Sequence, residues 1–245
     1  SVELGTMKKP SPEQIHAFFS NQIGAYAIAT PININAIIAF CVSKKPKRVL
    51  ELGGGIGTLT YCVLNYSEAV VEVYEENGFC REKLRQNLNR WSERVVLKES
   101  YAQTPNLTDY DLVMIDGPDS VTIEERDRLT YQVLGGLRNI RSFFIEGSRY
   151  SQRQLAQSKM ADISLYFLER VRGREVEGLG LMKGGLFVHK AGYSPKLIRY
   201  FCHLLWLVYD SFDFMDPRRR NKIKVRLRNP FQTMLRFFRR FKNRV

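Results

Sequence analysis

The sequence predicts an α/β fold in which a mostly parallel, seven-stranded sheet is flanked by helices. Apolar runs of strand length alternate with segments of helical spacing, and this alternation implies right-handed strand–helix–strand crossovers. The run from Leu112 to Ile115 is continuously apolar, which suits a central parallel strand covered on both faces. A glycine-rich turn after the first strand leads directly into a helix. The predicted strands are residues 49–52, 69–74, 95–97, 110–116, 142–145, 163–171 and 186–189.

Two helices are predicted before the first strand. One begins at Ser11-Pro12-Glu13, where Ser is a favourable N-cap, Pro suits the first helical position and an acid follows in the first turn. Thr30-Pro31 repeats this arrangement at the start of a helix that is apolar on most sides. Further helices are predicted at 59–64, 79–88 and 122–134, and a glycine-rich loop containing Gly178, Gly180, Gly184 and Gly185 is predicted between the last two strands.

The segment from Glu51 to Gly57 carries the strongest functional signal. Its pattern is Glu-x-Gly-x-Gly-x-Gly, in which the glycines allow a tight turn and a close approach of the backbone to a ligand. The N-terminus of the following helix offers free N–H groups at the same place. Dinucleotide sites use Gly-x-Gly-x-x-Gly instead. The spacing therefore disfavours a nucleotide-binding oxidoreductase, which is kept as an alternative.

Acidic residues follow three of the predicted strands. Ligands of open α/β sheets bind beyond the carboxyl ends of the strands, near the point where the strand order reverses. Glu75 ends the second strand 22 residues after Gly53, close to the offset of about 20 residues at which an acid binds ribose hydroxyls. Glu76 is the competing candidate, and Asp116 and Glu146 end the fourth and fifth strands. The alternatives without function are a solvated charge at Glu75 and, for Asp116, hydrogen bonds that its carboxylate accepts from the turn amides of Gly117 and Asp119.

The glycine pattern resembles motif I of the class I S-adenosylmethionine (SAM)-dependent methyltransferases. Residues 112–118 resemble the corresponding strand of small-molecule O-methyltransferases. The resemblance covers residues 11–192 and implies a Rossmann-like domain, enzymatic activity and SAM as the cofactor. In that family the end of strand three reads the adenine, and Ser100 and Tyr101 occupy this place, where an Asp is more common. The cofactor-binding residues implied by the resemblance are Glu51, Gly53, Gly55, Gly57, Glu75, Ser100 and Tyr101.

The same resemblance implies catalytic roles for Asp116 and Glu146. In the family, an Asp at the end of strand four either binds a divalent metal or faces the acceptor hydroxyl, and metal-dependent members add an Asp-Asn pair after strand five. Here Glu146-Gly147 stands in place of that pair. We therefore expect no metal ligands and a general base at Asp116 or Glu146, with a divalent metal as the alternative. His16, on the first helix, is a second candidate base.

The acceptor class is narrowed by a motif that the sequence lacks. Nucleic-acid amino-methyltransferases carry an Asn/Asp-Pro-Pro-aromatic motif after strand four, where this sequence has Asp116-Gly117-Pro118-Asp119. We therefore predict O-methylation of a small-molecule, glycan or lipid-linked acceptor. The alternatives are an RNA or protein methyltransferase that uses a basic tail, and a non-catalytic adaptor that keeps the cofactor fold.

Almost all of the net positive charge lies at the end of the sequence. Residues 217–245 contain 12 Lys or Arg and no Asp or Glu, so the net charge of +13 leaves only +1 for the preceding residues. After Asn229-Pro230, apolar residues recur at helical spacing beside a basic face, which is typical of an interfacial membrane helix. We predict a basic, helical extension over 193–245 that binds an anionic membrane surface through 217–245. Nucleic-acid binding and docking on the domain or on a homodimer partner are the alternatives.

Domain limits and location follow from similar features. Residues 1–6 precede Met7 and look like a cloning remnant, residues 7–192 form the predicted methyltransferase domain, and residues 193–245 form the extension. No apolar leader follows Met7. The cysteines show no close pairing, which favours a reducing compartment; they are Cys41, Cys62, Cys80 and Cys202. We therefore expect a cytoplasmic protein that is peripheral at the inner face of the membrane.

Overall fold

The computed structural model describes residues 9–25, 27–99, 106–117, 141–147, 152, 166–171, 174–176, 180–182 and 184–190. The chain divides into two units, Ser1–Arg199 and Tyr200–Val245, and all described residues belong to the first. Several predictions lie outside the described residues: the cloning remnant at 1–6, the adenine-reading residues Ser100 and Tyr101, the helix at 122–134 and the extension at 193–245.

The described elements alternate along the chain as the sequence predicts. The helices are α1 (Pro12–Ser20), α2 (Pro31–Lys44), α3 (Thr58–Tyr66) and α4 (Gly78–Leu88). The strands are β1 (Arg48–Leu52), β2 (Val70–Tyr74), β3 (Val95–Lys98), β4 (Leu112–Ile115), β5 (Ser142–Ile145), β6 (Tyr166–Val171), β7 (Arg174–Val176), β8 (Gly180–Met182) and β9 (Gly185–Lys190). No helix in these ranges is long and apolar enough to cross a membrane.

Both N-terminal helices begin at the predicted caps. The Ser11 hydroxyl accepts a hydrogen bond from Gln14 N at 3.3 Å, and Gln14 Oε1 accepts one from Ser11 N at 2.8 Å, so that two otherwise free N–H groups are satisfied. The Thr30 hydroxyl accepts from Asn33 N at 3.4 Å at the start of α2. That helix ends at Lys44, and its C-cap Lys45 has a left-handed backbone with φ of +49°. Local chemistry therefore fixes where these helices start.

Five strands are parallel and lie in the order β3-β2-β1-β4-β5. β9 extends the sheet by pairing antiparallel with β5, and β6 pairs antiparallel with β9. The helix α3 connects β1 with β2, and α4 lies between β2 and β3. This arrangement confirms the prediction of a mostly parallel sheet flanked by helices.

The N-terminal helices belong to the same core as the sheet. Ile15 and Phe19 of α1 and Ile37 of α2 are fully buried, and they cluster with strand residues such as Val49 and Met114. Burial of a side chain of this size contributes about 1.5–3 kcal/mol. The helices α1 and α2 are therefore held firmly against the sheet, and this packing brings a polar residue of α2 to the strand ends.

The prediction of a loop between the last two strands is wrong in part. The strands β7 and β8 pair antiparallel within it, with Arg174 opposite Met182 and Val176 opposite Gly180. Gly180 therefore opens a strand and does not lie in a loop. Two short runs separated by three residues that include a glycine are typical of a hairpin, and the sequence prediction overlooked this signal.

Candidate active site

Glycine and acidic residues lie side by side at the carboxyl edge of the sheet. Four of them each lie one residue beyond a strand and donate a backbone hydrogen bond to the last residue of the neighbouring strand. The bonds are Gly53 N to Tyr74 O (2.9 Å), Glu75 N to Lys98 O (3.1 Å), Asp116 N to Leu52 O (2.9 Å) and Glu146 N to Ile115 O (3.0 Å). Four residues that the sequence singled out are thus brought together by the register of the parallel strands.

The strand order reverses between β1 and β4. Since β2 and β3 lie on one side of β1 and β4 and β5 on the other, a ligand crevice is expected between the ends of β1 and β4. Gly53 lies at this position with φ of +85°. A Cβ there would be 2.5 Å from Gly117 N and 2.6 Å from Gly117 Cα. Only a glycine therefore allows the turns after β1 and β4 to approach so closely.

The glycine turn continues into α3. Gly55 (φ +52°) and Gly57 (φ +97°) also have the left-handed backbone that favours glycine. Gly57 is the N-cap of α3 and offers no side chain to cap the first turn, where backbone N–H groups are ready to bind a ligand. Among the described residues, no atom lies within 4 Å of a Cβ built on Gly55. Within the described part of the chain, the turn thus has open space beside Gly55.

The Glu75 carboxylate contacts the glycine turn directly. Its Oε2 accepts a hydrogen bond from Gly55 N at 2.7 Å, and its Oε1 accepts one from Asn77 N at 2.8 Å. Glu75 is half-buried, whereas the competing Glu76 is exposed. Each bonded carboxylate oxygen keeps further lone pairs, so Glu75 can still accept from two vicinal hydroxyls. Of the two adjacent acids, the geometry favours Glu75.

Glu51 lies fully buried beneath the turn. The Thr60 hydroxyl of α3 donates to Glu51 Oε2, while Oε1 has no hydrogen-bond partner among the described residues. Burial, together with the nearby Asp116 and Glu75 carboxylates, raises the pKa of Glu51 well above its usual range. A buried polar oxygen without a partner is rare in folded proteins and indicates that a ligand or water completes it.

Glu146 is held by a residue from the other end of the sequence. Asn33, fully buried on α2, donates from Nδ2 to Glu146 Oε1 at 2.7 Å. Glu146 itself is buried, with 8% of its surface exposed. This hydrogen bond fixes the direction of the carboxylate. The carboxylate is therefore presented to the strand ends in a defined orientation.

Asp116 is half-buried and lies beside Glu146. Because Ile115 pairs with Ile145, the two acids follow neighbouring parallel strands, whose spacing is about 4.8 Å. Within the described ranges, no group of three His, Cys, Asp or Glu residues is placed to hold a metal ion. The register of the two strands therefore places two carboxylates next to one another at the edge of the sheet.

His16, the second candidate base, has partners for both of its ring nitrogens. Its Nδ1 lies 2.9 Å from Ala29 O, and its Nε2 lies 3.3 Å from the Ser20 hydroxyl. Both ring nitrogens are thus engaged within the N-terminal helices and their connection. The contacts of His16 are those of a residue that stabilises the fold.

Sequence reasoning missed two of the residues that shape the site. Asn33 lies 113 residues from its partner Glu146, and its only local signal is that it is a polar residue in an otherwise apolar helix. Thr60, nine residues after Glu51, lies in the first turn of α3 and resembles an ordinary helical threonine in sequence. Neither pairing follows from a local pattern.

Comparisons with known proteins identify the fold. No protein-family model and no curated protein match the sequence, but solved structures do. The SAM-dependent O-methyltransferase of Thermotoga maritima matches with a TM-score of 0.52 at 17% identity, over 76% of this chain and 73% of that one. An O-methyltransferase of tomaymycin synthesis from Streptomyces achromogenes, in complex with SAM, gives 0.52 at 13% identity, over 74% and 88%. The chain has the SAM-dependent methyltransferase fold.

A further match agrees with this result. A methyltransferase of Podospora anserina bound to S-adenosylhomocysteine (SAH) has a TM-score of 0.51 at 11% identity and covers 75% of this chain and 89% of its own. The methyltransferase fold confirms the structural expectation drawn from the glycine pattern. In this structure the turn at Gly53–Gly57 lies at the point where the strand order reverses.

Proposed function

We propose that the protein is a SAM-dependent methyltransferase that transfers a methyl group to a hydroxyl oxygen of a small-molecule acceptor. The observation that carries this proposal is the 2.7 Å hydrogen bond from Gly55 N to Glu75 Oε2. It joins the glycine turn after β1 to the acid after β2, next to the reversal of strand order. Matches to methyltransferases solved with SAM and with SAH support the choice of ligand.

The residues at the strand ends fit such a cofactor. In the proposed complex Glu75 accepts hydrogen bonds from the ribose hydroxyls, and the glycine turn allows the backbone to lie against the ligand. Glu51 Oε1, buried and without a partner among the described residues, is available to a cationic or hydrogen-bonding group of the ligand. When bound, SAM supplies an electrophilic methyl group on a positively charged sulfur.

Asp116 and Glu146 form the proposed acceptor side. One of these carboxylates removes the proton from the acceptor hydroxyl as the methyl group is transferred. Glu146 is the better oriented of the two, because Asn33 fixes one of its oxygens at 2.7 Å. The larger part of the acceleration is expected from holding the acceptor oxygen in line with the methyl group and from excluding water.

Titration calorimetry with SAM and SAH tests the donor side, with NAD as the comparison ligand. We expect both SAM and SAH to bind and NAD not to bind. The substitution Glu75→Gln should weaken SAH binding about tenfold or more, because a hydrogen bond from a hydroxyl to a charged acceptor is lost. The matched control Glu76→Gln, at the neighbouring exposed acid, should bind within about twofold of wild type. Absence of binding to SAM and SAH would falsify the proposal.

The finer acceptor assignment and the membrane role rest on the sequence of residues 217–245. We propose that this segment brings the enzyme to an anionic membrane surface, where the acceptor is lipid-linked or delivered from the membrane. Its 12 basic residues and absence of acids support this, since each basic residue near such a surface contributes about 1 kcal/mol.

Flotation with vesicles that contain anionic lipid tests the membrane role. The 245-residue chain should float with anionic vesicles and not with neutral ones. Exchange of Arg236, Arg239 and Arg240 for Glu should abolish flotation while SAH binding is retained. Equal recovery of wild type and the triple variant in the floating fraction would contradict the proposal.

A further inference from the structure

Arg81 reaches from α4 back over the end of β2. Its Nη1 donates to Glu75 O at 3.1 Å and to Glu76 O at 2.6 Å. Its Nη2 lies 3.7 Å from Glu99 Oε2, directly after β3. Only 18% of the Arg81 side chain is exposed. One guanidinium therefore connects the chain turns that follow two neighbouring strands.

Hydrogen bonds hold both the backbone and the carboxylate of Glu75. Glu75 N donates to Lys98 O at 3.1 Å and Glu75 O accepts from Arg81, so both backbone polar groups are held. The carboxylate is held in turn by Gly55 N and Asn77 N. A free glutamate side chain has several rotamers, whereas this one is oriented before any ligand arrives. Such preorganisation strengthens binding because less conformational freedom is lost on association.

We propose that Arg81 is a positioning residue that aligns Glu75 with the ribose hydroxyls of the cofactor and thereby sets the preference of the site for ribose over 2′-deoxyribose. This inference rests on the proposed function. Arg81 touches the backbone and not the carboxylate of Glu75, so it acts through the acid and does not itself contact the ligand. The planar guanidinium suits this role because its donors bond several acceptors in a fixed geometry.

The chain offers a matched control for Arg81. Arg85 lies one turn further along α4 and pairs with the same Glu99 at 3.5 Å, and also with Glu82 at 3.7 Å. Its side chain is 53% exposed, and within the described part of the chain its ion pairs are with Glu99 and Glu82 and not with Glu75. Replacing Arg85 therefore removes an equal charge and a similar ion pair without releasing the turn after β2.

The experiment is titration calorimetry with SAH and with its 2′-deoxyribose counterpart, on wild type, Arg81→Met, Arg81→Lys and Arg85→Met. In wild type SAH should bind at least about tenfold more tightly than the deoxy analogue, because a hydroxyl bonded to a carboxylate is missing from the analogue. In Arg81→Met this ratio should fall to within about threefold of unity, as in Glu75→Gln. Arg85→Met should keep the wild-type ratio.

The ratio separates positioning from a general loss of structure. A purely structural role for Arg81 would weaken both ligands equally and leave the ratio unchanged, and that result would overturn the inference. Arg81→Lys keeps the charge but cannot bond both carbonyl oxygens and Glu99 in the same geometry, so it should also lower the ratio. If Arg81→Met does not fold, the ratio measured for Arg81→Lys tests the inference in its place. Failure of wild type to bind SAH would instead reject the proposed function.

Discussion

The hydrogen bond between Asn33 and Glu146 gives the sharpest test of how the acceptor side is built. Asn33 is fully buried on α2 and donates at 2.7 Å to a carboxylate that follows β5. Replacing Asn33 by Leu removes the donor while keeping a side chain of similar volume. The carboxylate then stays buried with one hydrogen bond fewer, and the fold is expected to lose stability.

The magnitude follows from the charge and burial of the pair. A hydrogen bond to a charged group contributes about 1.5–3 kcal/mol, and leaving a buried group unsatisfied costs about 1–3 kcal/mol. Asn33→Leu should therefore lower the free energy of unfolding by about 2–3 kcal/mol. Glu146→Leu should have an effect of similar size, because it leaves the buried Asn33 amide without this acceptor.

A double-mutant cycle isolates the contact from other effects of each substitution. The free energies of unfolding of wild type, Asn33→Leu, Glu146→Leu and the double variant are measured by urea denaturation followed by circular dichroism. The double variant should be more stable than the sum of the single effects predicts, with a coupling energy of about 1.5 kcal/mol or more. Effects that add to within about 0.5 kcal/mol would refute the reasoning.

Four further predictions follow from other parts of the site. Gly53→Ala should lower the free energy of unfolding by more than about 2 kcal/mol, because the new Cβ would lie 2.5 Å from a backbone nitrogen at a left-handed position. Gly55→Ala places its Cβ in open space and should cost only about 1 kcal/mol. Thermal melting of the two variants compares these effects. Arg94→Met should cost about 1–3 kcal/mol in urea denaturation, since three carbonyl oxygens near the end of α3 and the start of β2 lose a donor at 2.7–3.2 Å. Burial raises the pKa of Glu51 above 4.5, so the folded state keeps a proton that the unfolded state releases. The free energy of unfolding should therefore fall as pH rises above about 4.5, by up to about 1.4 kcal/mol per pH unit. Glu51→Gln should flatten this slope in unfolding measurements across pH. Glu146→Gln, at the better oriented of the two candidate bases, should reduce methyl transfer by about 10²–10⁴-fold while SAM affinity in calorimetry stays within about threefold of wild type.

Local chemistry explains why much of the fold could be predicted. The caps at Ser11 and Thr30 act on N–H groups within three residues of themselves, so their effect can be seen in a short segment of sequence. The glycine pattern after β1 likewise reports a backbone geometry that other residues rarely adopt. Strand-end acids could be placed together because parallel strands end at the same edge of a sheet.

Contacts between distant segments could not be predicted in this way. The choice of Glu146 as the partner of Asn33 depends on how α2 packs against the sheet, and no local pattern encodes that packing. Arg81 was overlooked for a different reason. On a charged helix it resembles one of several solvated basic residues, and only the backbone carbonyls beneath it distinguish it from Arg85. The position of the acids at the strand ends was therefore predictable, whereas the residues that contact them, Asn33 and Arg81, were not.

The charge of the crevice supports a sulfonium cofactor over a dinucleotide. Three carboxyl groups, those of Glu75, Asp116 and Glu146, lie at the same edge of the sheet. Each unit charge 5–10 Å from such a group interacts by about 0.4–0.8 kcal/mol in water and by more where solvent is excluded. These interactions favour the positive sulfur of SAM and oppose the two phosphates of NAD, so the electrostatics and the glycine spacing independently argue against the oxidoreductase alternative.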